Sequence, residues 1–193
     1  MHKRWMLTGL ILAAGAAIAM AGPMENARQA FQQGDNARGV AELRKAAEAG
    51  DANAQLSLGN WFAFGQGAAK DPVEAAQWFR MAADRGLPAA QNALGGLYFN
   101  GQGVSRNLSE AAKWFRKAAM QGFSPAQNAL GAMYAKGLGV DPSPIQAYMW
   151  FSVAAARGHA NAKTALSDLA RNLPAPQREE GERLAKNWKP VTP

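Results

Sequence analysis

Three consecutive stretches align without a gap: ANAQLSLGNWFAFGQGAAKDPVEAAQWFRMAADRGL (52–87), PAAQNALGGLYFNGQGVSRNLSEAAKWFRKAAMQGF (88–123) and SPAQNALGAMYAKGLGVDPSPIQAYMWFSVAAARGH (124–159). The first and second agree at 16 of 36 positions, and so do the second and third. Agreement falls on a fixed set of positions, as a repeated structural unit requires.

Each unit divides into two helical stretches. The first carries Ala90, Leu94, Leu97 and Tyr98, spaced i, i+4, i+7, i+8 along one helix face. Its counterparts are Ala54, Leu58, Trp61, Phe62 and Ala126, Leu130, Met133, Tyr134. The second carries Ala111, Trp114, Phe115, Ala118 and Ala119, matched by Ala75, Trp78, Phe79, Ala82, Ala83 and Ala147, Trp150, Phe151, Ala154, Ala155. Bulky layers alternating with alanine layers let two helices approach and interdigitate. Gly59, Gly95 and Gly131 interrupt the first stretches at a cost of roughly 1 kcal/mol each against alanine. Their recurrence predicts that the partner helix crosses closest there.

The punctuation agrees. Asp71 with Glu74, Asn107 with Glu110 and Ser143 with Gln146 read as capping boxes opening the second helices. Pro72 and Pro144 stand one place after the cap, where the missing N–H costs nothing. Gly50, Gly86, Gly122 and Gly158 suit left-handed helix stops. The Gly-x-Gly stretches at Gly65, Gly101 and Gly137 follow a helix rather than a strand and lack a phosphate-binding Lys-Ser pair, so they read as turns.

Outward from the repeats, residues 24–50 hold two helices joined at Gly34-Asp35-Asn36, with Phe31, Val40 and Leu43 as bulky apolar residues. Beyond 159, Leu166 and Leu169 begin a unit that never reaches the tryptophan. Pro174 and Pro176 then precede a charged helix ending at Trp188, expected to complete a fifth pair. The chain opens MHKRWMLTGLILAAGAAIAMAGP: Lys3 and Arg4, an uncharged apolar run, then Ala19-Met20-Ala21 before Gly22. This is the layout of a cleaved secretory leader. Its apolar run of about 15 residues is short of the roughly 20 that span a bilayer. The expected organisation is a leader over 1–21, an N-terminal capping helix pair over 22–51, three repeats over 52–159, and an incomplete repeat with a C-terminal capping helix over 160–193. The fold class is an all-α solenoid of about five helix pairs.

Composition narrows the chemistry. The 193 residues include no cysteine and two histidines, which excludes disulfides, thiol nucleophiles and multi-histidine metal sites. His159 follows Gly158 where Leu87 and Phe123 stand in the sister repeats, so it reads as an inter-repeat packing residue. Serines lack a histidine in repeat register, and no triad, metal or cofactor motif emerges. The formal charge is +7, or +5 without the leader's two cations, and the lysines and arginines are dispersed. That balance admits an acidic glycan partner and gives nucleic acid no support. No second apolar run of spanning length follows the leader. An exported chain of this kind is expected in the periplasm or secreted.

The motif A-x-x-x-LG-x-x-Y-x-x-G-x-GV followed by A-x-x-WF-x-x-AA-x-x-G resembles the Sel-1-like repeat family, a longer relative of the tetratricopeptide repeat. The resemblance covers 52–159 and extends weakly to both sides. It implies a right-handed superhelix that scaffolds protein binding without catalysis, with the first helices on the concave face. Some cysteine-rich members are described as binding or slowly hydrolysing β-lactams, an activity whose transfer the missing cysteines weaken. The stripe positions being core, the inward residues left for a partner are Asn60 and Phe64, then Asn92, Phe99 and Asn100, then Asn128 and Lys136, with Asp168 and Arg171 in the incomplete unit. Asparagine can hold peptide backbone and phenylalanine can anchor it, so an extended peptide or another envelope protein is the expected partner. Trp188 is the candidate aromatic contact for the alternative, a module binding peptidoglycan or exopolysaccharide.

Overall fold

The computed structural model describes residues 22–65 and 69–191; the leader reading and part of the first Gly-x-Gly loop lie outside these. Ten helices and no strand occur among the described residues. They are α1 (Pro23–Gln32), α2 (Asn36–Glu48), α3 (Ala52–Phe64), α4 (Pro72–Asp84), α5 (Pro88–Asn100), α6 (Leu108–Met120), α7 (Ser124–Lys136), α8 (Pro144–Ala156), α9 (Ala160–Asn172) and α10 (Ala175–Asn187). Neighbours in sequence pack as antiparallel neighbours from α1 through α9, which makes an all-α solenoid.

The glycines inside the first helices sit where the second helices cross. A Cβ built on Gly59, Gly95 or Gly131 would fall 2.4, 2.9 or 2.8 Å from the ring of Phe79, Phe115 or Phe151. The phenylalanine thus packs inside its own repeat. The tryptophan before it joins its own first helix to the preceding unit: Trp78 shares a core with Ala54 and Leu58 and with Leu43, Ala46 and Ala47 before them, and Trp114 one with Ala90 and Leu94 and with Ala75, Ala82 and Ala83 of the first repeat. Both residues of the Trp-Phe pair therefore lie at joints, the tryptophan in a core shared with the preceding unit and the phenylalanine in one shared with the following unit.

The cap side chains behave as expected in their first half. Asp71 accepts from the amides of Val73 and Glu74, Asn107 from Glu110, and Ser143 from Gln146. The reciprocal reach does not occur at the glutamates. Glu74 instead accepts from Arg44 at 2.7 Å and from the Trp78 indole at 3.2 Å, and Glu110 accepts from Lys113 at 2.6 Å. A cation is a stronger partner than a neutral amide. His159 is also corrected. Its Nδ1 accepts from the Ala162 amide at 3.3 Å, so it caps α9 where Leu87 and Phe123 make no such bond. In the loops, Gly101 is left-handed at φ 72°, and a Cβ on Gly103 would strike the Pro72 carbonyl oxygen of the preceding unit. The second and third loops are turns pressed against the preceding repeat, Gly139 meeting the Leu108 backbone as Gly103 meets that of Pro72.

The last two helices match the expected number but not the expected pairing. α9 and α10 both lie against α8 instead of closing into a hairpin. No glycine stops α9; Leu173 and Pro174 leave it in extended conformation, which redirects the chain. α10 puts Gly181 against Tyr148, and Tyr148 donates to Glu182 at 2.9 Å. Trp188 packs edge-on against Trp150 with centroids 6.1 Å apart. α8 is buried nearly all round, so Met149 and Val153 replace the exposed Lys113 and Lys117 of the sister repeat.

Two measurements check this packing. Gly95→Ala is expected to destabilise the chain by about 1–3 kcal/mol in urea unfolding through overpacking against Phe115. Gly96→Ala, whose Cβ would meet open space, is expected to stabilise by roughly 0.5–1 kcal/mol; similar effects at both sites would contradict the crossing. Burial, with the bond to Glu182 second, pushes the Tyr148 phenol above its ordinary range. Its stabilisation is complete below the unfolded value near 10 and is lost as pH climbs through the higher folded value. Urea midpoints should therefore fall less steeply above about pH 10 in Tyr148→Phe than in the parent chain.

Candidate functional site: the first-helix face

The first helices α3, α5, α7 and α9 share one side of the array. Between α5 and α7 lies a pocket of about 240 Å³. Its walls are Phe99 and Asn100 at the end of α5 and Ala132, Met133 and Lys136 along α7, with Phe115 of α6 beneath. It opens because Gly96 holds a register position that Asn60 and Ala132 fill in the sister repeats. The lining is apolar, and Lys136 is exposed at the end of α7. The pocket suits one bulky apolar side chain with a carboxylate beside it.

Of the sequence candidates, Phe99, Asn100 and Lys136 meet here. Phe99 is half-buried and also packs against the core between α6 and α7, so it is a wall more than a free anchor. Asn60 on α3, Asn92 on α5 and Asn128 on α7 are half-buried outside the pocket lining. Phe64 is the prominent exposed aromatic, 65% accessible, in register with Asn100 and Lys136. Asp168 and Arg171 pair with each other on the exposed side of α9. Trp188 is taken up by the cap, between Trp150 and the Arg157 guanidinium, 5.4 Å from its ring. Trp61, Trp78, Trp114 and Trp150 are buried, so no tryptophan among the described residues offers a free face for a sugar ring.

Two sets of joining residues are not among these candidates. Gln55, Gln91 and Gln127 are fully or nearly fully buried at one repeat position. Each donates to a carbonyl eight residues back, those of Ala47, Ala83 and Ala119, at 2.9, 3.2 and 3.1 Å. They tie each first helix to the last turn of the preceding second helix. Arg44, Arg80 and Arg116 form the other set. Arg44 lies 5.8 Å from the Phe62 ring and 5.7 Å from that of Trp78; Arg80 lies 5.6 Å from Tyr98 and 5.9 Å from Trp114. Arg116 lies 5.9 Å from the Tyr134 ring and donates to its hydroxyl at 2.7 Å. The signal for both sets was repetition at 36-residue spacing, visible without any fold. No group of acidic or histidine side chains among the described residues could hold a metal ion. Nor is any described helix long and apolar enough to cross a membrane.

Comparison with known proteins agrees with this architecture. A crystal structure of c5321, a protective antigen present in uropathogenic Escherichia coli strains and displaying an SLR fold, is 37% identical with a TM-score of 0.73. The match covers 78% of this chain and 32% of c5321, so the chain spans about a third of that protein's length. A Sel1 repeat protein from Oxalobacter formigenes is 40% identical with a TM-score of 0.62, over 68% of this chain and 98% of that one. No curated protein matches the chain. The Sel1 repeat model matches residues 52–87, 88–123 and 124–159, the three units delimited above. The chain belongs to the Sel1 repeat family.

Proposed function

We propose that this chain is an exported, non-catalytic scaffold that holds an extended peptide of another envelope protein on its first-helix face. Sel1 repeats are typically protein-interaction modules, which supports the class of function. The observation that carries the finer reading is the α5–α7 pocket, an apolar socket with the Lys136 ammonium at the same helix end. A peptide would place a leucine- or phenylalanine-sized side chain in the socket and an acidic group toward Lys136. Half-buried Asn92 and Asn128, on the same two helices, offer amides to the peptide backbone. The leader-like segment at 1–21 supports export, with processing before Gly22.

The test uses Gly96→Met, which fills the socket from a position with room for a side chain. In-cell cross-linking followed by affinity capture should recover a protein partner with the parent chain and lose it with Gly96→Met. Lys136→Ala should weaken capture. The melting temperature of Gly96→Met should not drop. Undiminished capture by the filled-pocket variant would overturn the peptide reading. Fractionation of the same cells, with N-terminal sequencing of the recovered chain, is expected to find it outside the cytoplasm and starting near Gly22. A chain retaining Met1 in the cytoplasm would overturn the exported assignment.

A further inference from the structure

The second-helix side of the array carries a larger cleft, unrelated to the pocket between the first helices. It has a volume of about 550 Å³ and runs along α6. Lys113, Arg116, Lys117, Met120 and Gln121 line it, with Val191 of the C-terminal segment as the far wall. Repeat register explains why it is open. The equivalents of Lys113 and Lys117 in the third repeat are Met149 and Val153, buried beneath α10. The same outer helix face is therefore apolar and covered on α8, and cationic and uncovered on α6.

The charges along the cleft are poorly compensated. Lys113 meets Glu110 at 2.6 Å. Arg116 is held by a tyrosine hydroxyl and ring, and Lys117 stands 4.0 Å from the Trp114 ring centroid. Neither of these two meets a carboxylate among the described residues. Between the cationic heads the walls are aliphatic: lysine stems, Met120 and Val191. One end already receives an extended chain. After α10 the segment 188–191 crosses from α8 to α6, and the Val191 amide donates to the Met120 carbonyl at 2.8 Å.

We infer that this cleft binds an acidic peptide segment in which apolar side chains alternate with carboxylates. The carboxylates pair with Lys113, Arg116 and Lys117, and the apolar side chains lie along Met120 and Val191. A polysaccharide fits less well, because the Trp114 ring beneath Lys117 is buried and offers no sugar platform. This inference does not depend on the first-helix pocket.

The test is fluorescence anisotropy of the purified chain with a labelled peptide of three Glu-Leu-Gly-Glu units, against its lysine-for-glutamate version. The variant is Lys113→Gln with Lys117→Met, the residues that Gln77 and Met81 supply at these positions in the first repeat. The acidic peptide should bind more weakly to the double variant by about tenfold, and more weakly in high salt. Gly96→Met should leave this binding intact, and the variant's melting temperature should match the parent's. Equal affinity for parent and double variant, or equal binding of the basic peptide, would overturn the site. Displacement of the peptide by polygalacturonate at lower concentration than by unlabelled peptide would overturn the peptide assignment in favour of a glycan.

Discussion

In each Sel1 unit a phenylalanine ring of the second helix occupies the space that a side chain on the first helix would need, at Gly59, Gly95 and Gly131. That contact sets how near the two helices lie, and the surrounding layers follow from it. Helices this close can fill the space between them only with small residues, which is why Ala75, Ala82 and Ala83, Ala111, Ala118 and Ala119, and Ala147 and Ala154 are buried. With the hairpin so thin, its large residues share their cover with neighbouring units. Trp78, Trp114 and Trp150 do so, as do the buried glutamines and the stacked arginines. Stability in such an array is a sum of unit and nearest-neighbour terms. Here the phenylalanine rings enter both terms, while the buried glutamines belong to the nearest-neighbour term.

The hairpins were legible because their cause is periodic. Stripes, cap residues and terminal glycines recur every 36 positions, and each has a local physical meaning. The joints were harder to read because their partners are not local. A buried Gln91 makes sense only when the Ala83 carbonyl is known to face it. Arg80 counts as dispersed surface charge until Tyr98 and Trp114 are found around it. The site was legible in part. Asn100 and Lys136 were marked by their variation between repeats, but the pocket exists because of Gly96, a residue whose contribution is the side chain it lacks. The path of α10 had a signal too: the change from lysines at 113 and 117 to Met149 and Val153.

The two faces of the array differ in how they use charge. On the first-helix face a single lysine stands at the edge of an apolar socket. On the second-helix face the cations occur in a row, and those that also stack on aromatic rings help to hold the repeats together. Much of the excess positive charge is therefore placed by internal packing. A ligand attracted to α6 would meet side chains already ordered by Trp114 and Tyr134, which lowers the entropy lost on binding.

The covering of α8 has a consequence for how the array can change in length. Units one and two each present a second helix whose outer side tolerates water, so a further copy of 36 residues could be duplicated beside either of them. The third unit is different, because Tyr148, Met149 and Val153 are fitted to one particular helix. Inserting a unit after it would separate that helix from its seat and uncover an oily surface. Recombination among relatives should therefore move the third repeat and its closing helix as one indivisible block, and add or lose copies upstream of it.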